Sequence, residues 1–173
     1  MDTAIDPFGI EALVGRIRYH RLAAVTLAGT YVLMLLGAYT SAIGAGLSCP
    51  DWPMCYGTVV PFFHPEIMTN SPYSALQIFA EWAHRGLAMI VGLLIVATAL
   101  CGWTRADRRL IRWSAATAVL LLPLQIVLGG LTVTAALQPI VVTAHLATAT
   151  LILLALTTTT VGSWSKRRCS DKD

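Results

Sequence analysis

Charge is what this chain has least of. Asp, Glu, Lys and Arg make up 12% of its 173 residues, against 56% apolar residues, and the mean hydropathy is +0.68. Soluble domains carry roughly 25% charged residues, so an ordinary globular enzyme is excluded. Lysine and arginine are missing altogether from residues 22–84 and from 113–165. No CxxC motif occurs among the four cysteines, which removes the simplest sign of a dithiol redox centre.

What remains is dominated by four apolar runs, near Leu22–Ile43, Phe79–Trp103, Trp113–Val133 and Val141–Trp164. Each is longer than the roughly 20 residues needed to cross a bilayer core. The first exceeds a signal-peptide core of about 7–15 residues; although Ala42 to Ala45 resembles a cleavage site, the run is expected to be retained. Of the 12 basic residues, all but Arg85 lie before the first run, between the second and third, or after the fourth. The positive-inside rule therefore places both termini in the cytoplasm and the loop at 45–77 outside, with the turn at Ala135–Gln138. Trp103, Trp113 and Trp164 then mark the inner interface. The basic balance reports topology and gives no sign of nucleic-acid binding.

The expected fold is all-α: an integral membrane four-helix bundle, up-down-up-down, with both termini cytoplasmic. A cytoplasmic lead covers 1–20, the bundle 21–165 and a basic tail 166–173. Cys49 and Cys55 fall on the oxidising side and can pair, while Cys101 and Cys169 fall on the reducing side and stay free. The long outer loop is stiffened by Pro50, Pro53, Pro61, Pro65 and Pro72. Ser71-Pro72 reads as an N-cap followed by proline at the first helical position, and Pro139 reads as another helix start. Each hairpin also carries glycines in its first helix, Gly37 and Gly44 in one and Gly129-Gly130 in the other, and a histidine early in its second.

Those histidines are the strongest chemical signal. His84 precedes Trp103 by 19 residues, and His145 precedes Trp164 by 19. At 1.5 Å per residue, both rings lie about 30 Å from the inner interface, at one level near the outer surface. Paired imidazoles at equal depth on two bundle helices suit the axial ligation of one haem. A structural pair bonded across helices is the plainer reading, although an unpaired ionisable group inside a membrane is costly and usually functional. Glu81, one turn before His84, can relay a proton or fix the histidine tautomer. Arg85 either neutralises Glu81 or meets a haem propionate. The Cys49/Cys55 pair is either a structural clip over the bundle mouth or an electron relay. His20 and His64 read as spectators.

At these residues the chain resembles the haem A synthase family. The segments that carry the likeness are Gly44–Gly57, containing Cys49-Pro-Asp-Trp-Pro-Met-Cys55, then Glu81-Trp-Ala-His-Arg85, Gln125–Val133 with its Gly129-Gly130, and Thr143-Ala-His-Leu146. The resemblance implies oxidation of a ring methyl of haem o to the formyl group of haem a through a hydroxymethyl stage. It further implies haem b as cofactor, His84 and His145 as iron ligands, Glu81 as the important carboxylate and Cys49 with Cys55 as the outer-loop pair. A haem o supplier, an electron acceptor and the membrane of a prokaryotic cell complete the expected setting. Typical members have eight spans in two homologous halves, and this chain resembles the amino-terminal half, so either a homo-oligomer or one site serving both haems in turn is expected. The competing readings are a bis-histidine cytochrome b that only transfers electrons, and a thiol-to-quinone oxidoreductase. The second normally needs two outer cysteine pairs, and only one is present.

Overall fold

The computed structural model describes residues 19–105 and 108–170. Most of the lead, the end of the basic tail and the side chain of Cys169 lie outside the described residues. Five α-helices follow one another: α1 (Tyr19–Ala42), α2 (Pro65–Asn70), α3 (Ala75–Arg105), α4 (Arg109–Thr134) and α5 (Pro139–Ser170), with a 3-10 turn at Pro61–Phe63. All but α2 are long and apolar enough to cross a membrane. They are apolar around their whole circumference, as helices facing both a core and lipid must be. Leu93, Leu120 and Ile140 point outward. The all-α four-helix membrane bundle expected from sequence is the fold found.

The helices form a closed square. α1 packs on α3 and α5, and α4 packs on the same two. The histidine-bearing helices, α3 and α5, therefore stand on a diagonal. Val91, Ile95, Ala118, Ile152 and Leu156 make the buried core, joined by Leu27 and Leu33 of α1. Two hydroxyl pairs tie the hairpins internally: Thr26 to Thr98 at 2.8 Å and Ser114 to Thr159 at 2.8 Å. Inside a bilayer each such bond is worth about 0.6 kcal/mol. The pattern repeats, for Thr98 follows His84 by 14 residues and Thr159 follows His145 by 14.

Helix starts set the geometry at the outer end. Pro139 is the first residue of α5, as its sequence context suggested. The start of α3 differs from expectation. Ser71 ends α2 instead, its N–H bonding the Ile67 carbonyl and its hydroxyl meeting Tyr56. α3 is opened by a reciprocal cap between Ser74 and Gln77: the Ser74 N–H donates to Gln77 Oε1 at 2.9 Å, and the Gln77 N–H donates to Ser74 Oγ at 3.3 Å. Two donors satisfied at once outweigh what Pro72 offers. Gln77 Nε2 also donates to the Ile43 carbonyl at 2.9 Å, fastening the end of α1 to the start of α3.

Candidate functional site

The loop after α1 folds into a small domain over the bundle mouth. Cys49 and Cys55 are disulfide-bonded with Cα atoms 4.6 Å apart. Both are buried, packed with Ile78 and flanked by Tyr56, Phe62, Ile67, Met68, Tyr73 and Trp82. Asp51 shapes the ring, its carboxylate accepting from the N–H groups of Tyr56 (2.6 Å) and Gly57 (2.7 Å). Those residues have φ of 56° and 68°; left-handed backbone comes at no steric cost only to the glycine. Trp82 Nε1 donates to the Val59 carbonyl at 2.7 Å, holding the far side of the loop to α3.

Arg85 is the clamp. Its Nε donates to Glu81 at 2.9 Å, its Nη1 to the carbonyls of Asp51 (2.6 Å) and Met54 (2.5 Å), and its Nη2 to the Cys49 carbonyl at 2.8 Å. Four of the five guanidinium donors are thus committed, three of them to the disulfide ring. Glu81 is 8% exposed at its side chain, a burial that a carboxylate tolerates because its counter-ion sits one turn away. The carboxylate bonds Arg85 and not the His84 Nδ1, which is buried without a partner.

The two histidines occupy equivalent places. His84 packs against Gly37 of α1, where an added Cβ would stand 2.9 Å from Cε1 of the ring. His145 packs against Gly129 of α4, where the same distance is 3.3 Å. The main chain of Leu33 lies near the His84 ring and that of Gln125 near the His145 ring. Both of these residues precede their glycine by four. The two rings are within electrostatic reach of each other across the diagonal. Nδ1 of His145 is buried and unbonded, as is the amide oxygen of Gln125, while Gln125 Nε2 stands 3.4 Å from His145 Nε2. Ala80 and Ala149, one turn from each histidine, are small and buried. The loop also touches α4 beside this second histidine's glycine, since Trp52 lies on Gly130, next to Gly129.

Sequence pattern singled out Glu81, His84, Arg85, His145, Cys49 and Cys55, and all six gather at this end of the bundle. It did not identify Asp51, Trp52 or Gln125. The spacing of Gln125 one turn before Gly129 was the available signal. His64 pairs with Glu66 at 3.1 Å on the exposed loop surface. His20 lies near Trp164 at the opposite end.

The chain matches the cytochrome oxidase assembly protein (COX15-CtaA) family over residues 20–173. It belongs to that family. Among its relatives, the haem A synthase of Shewanella oneidensis is 37% identical over 138 residues, covering 72% of this chain and 39% of the relative. A protohaem IX farnesyltransferase of Natronomonas pharaonis is 36% identical over 113 residues, covering 65% of this chain and 22% of the relative. The haem A synthase of Shouchella clausii is 31% identical over 86 residues, or 49% of this chain and 25% of the relative. The chain thus spans well under half the length of these relatives. No solved structure matches it.

Proposed function

We propose that this chain is a haem A synthase, oxidising a ring methyl of haem o to a formyl group at the end of the bundle beneath the disulfide loop. The observation that supports the reading is the pair of imidazoles on diagonal helices, each seated against a glycine at the end of the bundle that the disulfide loop covers. Gly37 and Gly129 make the room in which the imidazole rings themselves sit. The residues therefore fit a haem held by His84 and His145, with haem b as cofactor and haem o as substrate. A bound haem would supply the one-electron chemistry that aliphatic C–H oxidation needs.

The chain's own residues do the rest. Glu81 is the catalytic carboxylate: its Oε1 is occupied by Arg85, so a proton is taken up or released at Oε2. Arg85 keeps one N–H beyond its four bonds, enough to meet a haem propionate while holding the loop. The loop excludes water from the outer end. In the cell membrane of a prokaryote the loop faces outward and both termini face the cytoplasm. Electrons leave to an acceptor outside this chain. Kinship with a segment of protohaem farnesyltransferases, limited to 22% of one relative's length, favours a haem o supplier as neighbour. A homo-oligomer would bring two such sites into one assembly.

Pyridine haemochrome analysis of cells supplied with haem o tests the reading. Haem a should form with the native chain and not with His84→Ala or His145→Ala, both of which should also lose the low-spin spectrum of a two-histidine haem. Haem b bound in unchanged amount with no haem a formed would point instead to an electron-transfer cytochrome.

A further inference from the structure

We infer that the two histidines are not equivalent as ligands: His145 is the one that lets go of the iron, and Gln125 is the positioning residue that receives it. The inference rests on the two-histidine haem site proposed above. The internal repeat isolates the difference. His84 and His145 each meet a glycine, and each reaches the main chain of the residue four before that glycine. That residue is Leu33 for His84 and Gln125 for His145. A leucine side chain offers no polar atom, whereas the carboxamide offers both a donor and an acceptor.

The carboxamide is already in use. Gln125 Nε2 stands 3.4 Å from His145 Nε2, and whichever way the amide is turned the ring nitrogen has a polar partner there. That nitrogen is also the atom a histidine commonly offers to a metal. Iron and Gln125 thus compete for one site on one ring. A His145 released from iron returns to a bonded state, with Gln125 as its partner. Leu33, at the position matching Gln125, has no polar side-chain atom to receive a released His84, so its freed nitrogen is less well satisfied. His84 is also the more tightly seated ring, with 2.9 Å to the hypothetical Cβ at its glycine against 3.3 Å for His145. Neighbours on α3 restrain it further, because Arg85, the next residue, is fixed to the disulfide loop.

The consequence concerns access to the iron. A haem held by two histidines has no open position, and small ligands enter only as fast as one imidazole vacates. Stabilising the vacated state by one hydrogen bond raises its population about tenfold. Gln125 therefore sets how often the His145 side is open.

The test uses the full chain purified in detergent, loaded with haem b and reduced, with carbon monoxide as the probe. Gln125→Met keeps side-chain length and removes both polar atoms. It should leave the low-spin spectrum intact and slow carbon monoxide binding about tenfold. An unchanged or faster rate overturns the inference. Should Gln125→Met fail to fold, Leu33→Gln decides: giving His84 the same partner should speed carbon monoxide binding, and an unchanged or slower rate counts against it. Native chain that binds no haem sinks the site reading itself, while native chain with a low-spin haem and indifferent variants sinks only the inequality of the ligands.

Discussion

The residues that matter most for the rings are ones with no side chain. An alanine at position 37 would place its Cβ 2.9 Å from His84 Cε1, closer than such contacts are tolerated, so the imidazole must move. Overpacking of this kind costs about 1–3 kcal/mol. Gly37→Ala should accordingly weaken haem b binding by about tenfold or more, measured by haem titration of the purified chain. Gly129→Ala, at 3.3 Å from His145, should have a smaller effect. Equal effects, or none at either position, would mean that the rings are not held by these glycines. Arg85 makes a second prediction at this scale. Arg85→Gln leaves Glu81 buried without its counter-ion and frees three loop carbonyls. Breaking a buried pair from one side costs about 3–5 kcal/mol. Denaturant unfolding in detergent should register that loss, and Glu81→Gln in the same chain should restore part of it. A stable Arg85→Gln single variant would show that the clamp contributes little.

Among the elements, the disulfide loop is where sequence and fold part company. The four spans are legible because apolar length is a bulk property of each segment, and the depth of His84 and His145 follows from helical rise. The start of α3 is not legible from Ser71-Pro72, because the competing Ser74/Gln77 cap wins by satisfying two donors reciprocally. Arg85 is legible as a charge with two possible partners, yet its bonds to Cys49, Asp51 and Met54 span 31 to 36 residues. No local pattern encodes such distances. Gln125 was hidden for a similar reason, since an amide in an apolar run gains meaning only when the facing helix brings His145 to it. The loop's own chemistry yields a further test. A ring closed over so few residues restrains the unfolded chain by about 2 kcal/mol, so Cys49→Ser with Cys55→Ser should lower stability by that order in a melt. The bonds from Asp51 to Tyr56 and Gly57 should keep the loop folded. Haem binding that survives the double substitution identifies the disulfide as a clip; loss of haem a formation with haem still bound would give the sulfurs a redox role.

For the whole molecule, the internal repeat joins topology to chemistry. Gly37 with His84 and Gly129 with His145 lie at one end, and Thr26 with Thr98 and Ser114 with Thr159 lie toward the other. A bundle built from two like hairpins brings two like histidines to one level, but only the first hairpin carries Glu81, Arg85 and the long loop. The site is therefore symmetric in its histidines and asymmetric in Glu81, Arg85 and Gln125. Under the proposed function, the side of the membrane it faces decides whether protons and electrons leave outward or inward, and the charge pattern predicts an outward loop. Phe63, on the loop, is 82% exposed, and Arg108 is exposed at the opposite end. In a background with Cys101 and Cys169 changed to serine, Phe63→Cys should react with a membrane-impermeant maleimide on intact cells. Arg108→Cys should react only after the membrane is opened. The reverse pattern would turn the bundle over, and with it would place the loop, Glu81 and the rings on the cytoplasmic side.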